Sequence, residues 1–101
     1  MKECLVYVHE TNEYPLYFHF CEGDGTNLFQ DDIDDGYVDY ILFEYYTPKL
    51  WQGKPVLDEC DGGMILLKKL CDDMTMDEFV RRGLEFMYGD NVPDYDFCPV
   101  C

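Results

Sequence analysis

Residues 3–9 (ECLVYVH) and 15–20 (PLYFHF) are short runs of aliphatic, β-branched and aromatic residues separated by the polar stretch ETNEY, which predicts two strands joined as a hairpin. Residues 22–36 form a Gly/Asp-rich connection in which Thr26 is placed to cap one short helical turn through Phe29 and Ile33. The densest run of β-formers is YVDYILFEYYT, residues 37–47, a long middle strand that Pro48 is expected to end. VLDEC (56–60), the turn DGG and MILLKKL (64–70) predict a second hairpin.

The period then changes. In TMDEFVRRGLEFMYG, residues 75–89, Met76, Phe79, Val80, Leu84 and Met87 recur at helical spacing, Thr75 and Glu78 fit a capping box, and Gly89 stands where a left-handed cap is needed. Gly83 lies on the apolar stripe, so the helix is expected to approach a sheet closely there. Asp77 with Arg81, and Glu78 with Arg82, are spaced as i,i+4 ion pairs on the outer face. The expected fold is α+β: an antiparallel sheet of about five strands, two hairpins plus a long middle strand, with one C-terminal amphipathic helix packed on it. Residues 1–89 read as a single domain and 90–101 as an irregular C-terminal tail.

Composition changes this picture mainly through charge. The chain of 101 residues is 48% apolar and 17% aromatic, rich enough to fold, yet carries a net charge of −15. Residues 1–48 hold eleven acids and the single cation Lys2, whereas residues 49–101 hold eleven acids and six cations. The opening MKECLVYVHE has too short an apolar run for a signal peptide, and no stretch approaches the ~18 apolar residues of a membrane span. The expectation is a soluble, cytoplasmic protein whose six cysteines stay reduced.

No complete catalytic or cofactor motif is present, and the chain contains no serine, which excludes a serine nucleophile. DDIDDG at 31–36 suggests a calcium loop, but with Gly36 at the sixth position the third is Ile33 and the twelfth Leu42, so two required ligands are missing. CPVC at 98–101 has zinc-knuckle spacing, with Cys60 and Cys71 available if they converge. One knuckle is a weak signal, and no metal or cofactor is expected. A hairpin register in which residue numbers sum to 25 would set Cys4 opposite Cys21 and send His9 and His19 to opposite faces, leaving no Cys–His nucleophilic pair. The chain reads as a non-enzyme.

The acids are interleaved with tyrosines. Carboxylates without local cations project a field of one sign, which steers a basic partner. Tyrosine beside carboxylate suits an arginine-rich groove, where the ring stacks on guanidinium and the carboxylate takes its fork. The candidate partner-binding residues are Asp31, Asp32, Asp34, Asp35, Tyr37, Asp39, Tyr40, Glu44 and Tyr45. Such grooves belong above all to proteins that hold nucleic acid, so the expected partner is a basic nucleic-acid-binding protein and not nucleic acid itself. In charge and length the chain is similar to the DNA-mimic inhibitors made by phages and mobile genetic elements, including anti-CRISPR and anti-restriction proteins. Two other readings stand beside this: a structural or adaptor domain whose acidity serves solubility, and a cysteine-based zinc or redox protein.

Overall fold

The computed structural model describes residues 2–8, 17–23 and 28–98, with backbone alone at 47–50, 55 and 57–60. Its elements are β1 (Glu3–Val8), β2 (Tyr17–Glu22), a one-turn helix α1 (Gln30–Asp34), β3 (Asp39–Trp51), β4 (Lys54–Leu67), a 3-10 turn (Cys71–Asp73), α2 (Met76–Tyr88) and β5 (Tyr95–Cys98). The strands form one five-stranded sheet in the order β4-β3-β2-β1-β5, every neighbour antiparallel. The architecture is α+β, with one main helix.

Strand alternation builds the core. Cys4, Val6 and Val8 of β1, Phe18 and Phe20 of β2, Ile41 and Phe43 of β3, and Ile65 and Leu67 of β4 are all buried, and they meet Phe79, Val80 and Leu84 of α2. Residues two apart on a strand share a face, so these side chains line one side of the sheet. Gly83 is what lets the helix settle there: a Cβ at this position would lie 2.4 Å from the Phe20 ring. The helix starts as its sequence implies, the Glu78 N–H donating to Thr75 Oγ1 at 3.1 Å, and stops at Gly89 with φ 62°.

Several expectations are corrected. The first hairpin is shifted by one residue, pairing Glu3 with Cys21 and Cys4 with Phe20. A one-residue shift exchanges faces; the observed register puts Cys4, Val6 and Val8 beside Phe18 and Phe20, and separates Cys4 from Cys21. Pro48 does not end the middle strand, which runs on to Trp51. Among the described residues only β4 pairs this stretch, and a proline is tolerated where its missing N–H faces an unpaired side.

DGG is not a turn. Residues 54–67 form one strand, and the reversal occurs at Gln52 and Gly53, both with positive φ (51° and 77°), as a two-residue hairpin loop that follows the sheet's twist requires. Gly62 and Gly63 lie within β4 because Phe43 approaches it: a Cβ at Gly62 would be 2.7 Å from the Phe43 carbonyl oxygen, and one at Gly63 would be 2.9 Å from the Phe43 ring. A register shift beside Tyr45 and Tyr46, which face Asp61 and Glu59, marks a bulge.

The tail is not irregular throughout. Tyr95–Cys98 adds β5 to the edge of β1, and the Tyr95 hydroxyl donates to Asp77 Oδ1 at 3.1 Å, tying the tail to α2. Met76 lies outside the buried stripe. The helix-face ion pairs are replaced: Glu78 meets Lys69 Nζ at 3.3 Å, Asp77 accepts from Tyr95, and neither acid is within ion-pair distance of its arginine. Thr26, the ETNEY turn and His9 lie outside the described residues. Among the described residues no helix is long and apolar enough to cross a membrane.

Candidate interaction surface

The acidic segment folds as a helix too short to bury anything. Phe29 opens it in an extended conformation (φ −84°, ψ 161°), and its N–H donates to Asp32 Oδ2 at 3.2 Å. Gln30 Nε2 reaches Asp34 Oδ1 one turn on, at 2.9 Å, and Gly36, with φ 94°, ends the turn. Asp31, Asp34 and Asp35 are exposed and Asp32 is half-buried. Among the described residues no lysine or arginine comes within ion-pair distance of any of the four. The EF-hand geometry is not formed, because the segment is helical where such a loop would be extended around its ion.

The remaining candidate residues separate. Tyr37 stays at this end of the molecule, with its ring already met by Lys68 Nζ at 5.2 Å from the centroid. Asp39 is only 7% exposed and Tyr40 fully buried; the Tyr40 ring fills the space over Gly23, where a Cβ would lie 2.1 Å away. Tyr45 points to the helix side and tilts against Phe18 with centroids 5.9 Å apart. Glu44 points the other way, accepting from the Tyr46 hydroxyl at 2.5 Å. Asp39, Tyr40 and Tyr45 are therefore corrected from partner-facing to packed positions. Successive strand residues alternate between faces, so a run of neighbouring acids and tyrosines on β3 cannot form one surface.

The structure adds acids that the sequence did not associate with α1. Asp39 pairs with Leu67 across the two strands, and the Val38 N–H donates to the Leu67 carbonyl at 2.8 Å. The segment entering β3 and the segment leaving β4 thus flank the same end of the sheet. Asp72 and Asp73, both exposed, follow β4 in the 3-10 turn at this same end. The antiparallel pairing of β3 with β4 was the signal that could have brought them together.

Asp39 holds this end in place. Its Oδ1 accepts from its neighbour's N–H (Tyr40, 2.8 Å) and its Oδ2 from the Cys71 N–H (2.8 Å), clipping the 3-10 turn to β3. Glu22, Asp39 and Cys71 place one potential ligand atom each within 4.8 Å of one another, the one such group among the described residues. Both carboxylate oxygens of Asp39 are already hydrogen-bonded, and the Cys71 thiol is pushed up to about 12 by burial first and then by its hydrogen bond to Asp39. The group is thus a satisfied hydrogen-bonded clip. Cys98 lies apart on β5, and Cys101 and the Cys60 side chain lie outside the described residues.

On the face away from α2, His19 Nε2 sits 2.9 Å from Glu3 Oε2, and its Nδ1 3.9 Å from Glu44 Oε2. Cys21 shares this face two residues along β2. Its thiol is raised by burial and by Glu3, Glu22 and Glu44, the opposite of an activated nucleophile. Cys4 is pushed up to about 12 by burial, with Glu3 adding to it. Comparison with protein families, with curated proteins and with solved structures finds no match to this chain.

Proposed function

We propose that this chain is a small acidic binding protein that occupies the basic nucleic-acid-binding groove of another protein, as an inhibitor of DNA-mimic type from a phage or mobile element. The observation that carries the reading is the α1 end of the sheet: Asp31, Asp32, Asp34 and Asp35 are without cation partners among the described residues, and Asp72 and Asp73 stand on the 3-10 turn at the same end. Unneutralised carboxylates repel one another and cost stability. Their concentration at one end is understandable if a positive surface neutralises them on binding. The surface is narrower than the sequence implied, with Tyr37 and the exposed Phe29 as aromatic neighbours and Glu44 on a separate face.

The cysteine-based alternative gains nothing from thiols that burial and neighbouring carboxylates hold protonated. The test is capture from a bacterial lysate on the immobilised protein, with elution by salt and separately by short duplex DNA. Basic nucleic-acid-binding proteins should leave under both treatments, and a variant with Asp31, Asp32, Asp34 and Asp35 changed to Lys should fail to retain them. A captured set no more basic than the lysate, or indifferent to DNA, rejects the reading.

A further inference from the structure

The two outer strands of the sheet turn backbone groups away from it, and the two edges differ. β5 is four residues long and contains Asp96. β4 runs for 14 residues and, among the described residues, pairs with β3 alone. Its residues 62–67 (GGMILL) include no charge and no proline, the devices by which an edge strand is kept from pairing with another chain.

One bond fixes the direction of these groups. The Leu67 carbonyl accepts from the Val38 N–H at 2.8 Å and so points toward β3. Along an antiparallel strand, alternate residues turn their N–H and C=O to opposite neighbours. Ile65 and Gly63 therefore also face β3, whereas Gly62, Met64 and Leu66 face outward. Asp61 Oδ1 accepts from the Gly62 N–H at 2.8 Å and closes the open stretch at that end. Met64 and Leu66 each keep a donor and an acceptor with no strand beyond them among the described residues. An exposed ring stands at the same edge: Phe86 of α2 is 58% exposed and lies against Phe43, centroids 5.3 Å apart, where the Phe43 ring covers Gly63.

We propose that two copies of this chain join edge to edge, β4 against β4 in antiparallel register about Ile65, making one continuous sheet. A twofold axis through Ile65 and perpendicular to the sheet sets Met64 of each copy opposite Leu66 of the other. Both residues of each pair are outward-facing, so four N–H···O=C bonds form across the seam. The flanking positions select a second copy and this register. Gly63 comes opposite Leu67 and Gly62 opposite Lys68, so each position without a side chain meets a long one. Residues 58, 59 and 61 are acids and 68 and 69 lysines, so the acidic part of each strand meets the basic end of the other, whereas a parallel pair would set like against like. Lys69 already meets Glu78 at 3.3 Å, but Lys68 has no carboxylate within ion-pair distance among the described residues. The second strand also passes Gly63 on the helix side and takes the Phe86 ring out of water. A pair centred on β5 would instead oppose Asp96 to itself.

Sedimentation and residue-resolved amide exchange, followed together over a concentration series at physiological ionic strength, test the pairing. The expected result is a transition from the 12.0 kDa chain to a particle of twice that mass. In step with it the Met64 and Leu66 amides should pass from fast to slow exchange, while the Ile65 amide, turned toward β3, is protected throughout. Met64→Pro removes an outward N–H that β3 does not use, and should weaken association by at least about tenfold, since two of the four bonds are lost. Phe86→Ser should act in the same direction from outside the strand, and decides the matter if Met64→Pro does not fold. A monomer throughout, which would leave the edge to a strand of a different protein, would overturn the proposal. So would assembly beyond two copies, a dimer whose Met64 and Leu66 amides still exchange fast, or one that ignores both substitutions.

Discussion

At the end of the sheet where β3 begins and β4 finishes, four aspartates project from a single helical turn and two more follow from the 3-10 turn, with Lys68 drawn over Tyr37. At the other end the same two strands run out as a ribbon to a tip, residues 47–57, that has no acid and closes on Trp51 and Lys54. The difference shows that a net charge of −15 is a property of places and not of the whole. The acidic end is held by specific buried hydrogen bonds through Asp39. The ribbon end is held by strand pairing and by a turn whose two central residues take positive φ.

Each end can be uncoupled from the other by substitution. The largest effect is expected from Leu84→Asp, which puts a charge into the fully buried helix stripe that supports both ends. A loss of at least about 4 kcal/mol, enough to unfold a domain of this size, should appear as loss of the thermal transition. Asp39→Ala should cost about 2–3 kcal/mol, since two buried N–H groups lose a charged acceptor. Hydrogen exchange should rise first in the 3-10 turn and α1 while the ribbon keeps its protection.

Alkali is expected to act on the interior that supports the acidic end. The Cys4 and Cys71 thiols are raised from 9.0 to about 12 in the folded chain, so above pH 9 the unfolded chain gives up protons that the native state keeps. Stability that is constant below pH 9 should therefore decline from pH 9 to about 12. Urea midpoints measured across that range would show the decline, and Cys4→Val should lessen its slope while leaving the share that Cys71 contributes.

Smaller effects separate the two ends. Gly53→Val forces a β-branched residue to φ 77° with open space around its Cβ, and should cost about 1–2 kcal/mol through backbone strain alone. Asp34→Ala should stay within about 0.5 kcal/mol, with stabilisation the favoured direction because a repulsive charge is removed. Denaturation midpoints of the two variants, measured together, give the sign and the ratio.

How much of this was readable beforehand depended on whether the signal was local. The α2 cap at Thr75, the buried stripe and the close approach at Gly83 were all legible, because each rests on residues within one or two helical turns. β4 was not, since Asp61-Gly62-Gly63 has the chemistry of a turn and only the packing of Phe43 from the neighbouring strand explains its glycines. Gln52 gave little warning of a left-handed conformation. At the candidate surface, the exposure of Asp31, Asp34 and Asp35 followed from charge density and a glycine-ended turn. The burial of Asp39 and Tyr40 did not, because it depends on the Gly23 backbone that the Tyr40 ring packs over and on a carboxylate's partner 32 residues away.

The most direct test of the acidic end as a nucleic-acid surrogate is the association rate of a captured partner with the variant carrying Asp31→Lys, Asp32→Lys, Asp34→Lys and Asp35→Lys. Asp77→Asn with Glu78→Gln on α2 serves as the control. At low salt the reversal should slow association by at least about tenfold and leave dissociation far less affected, because a steering field acts on encounter. The α2 control should do little. An unchanged association rate, together with affinity lost on altering α2 or β5, would contradict the account.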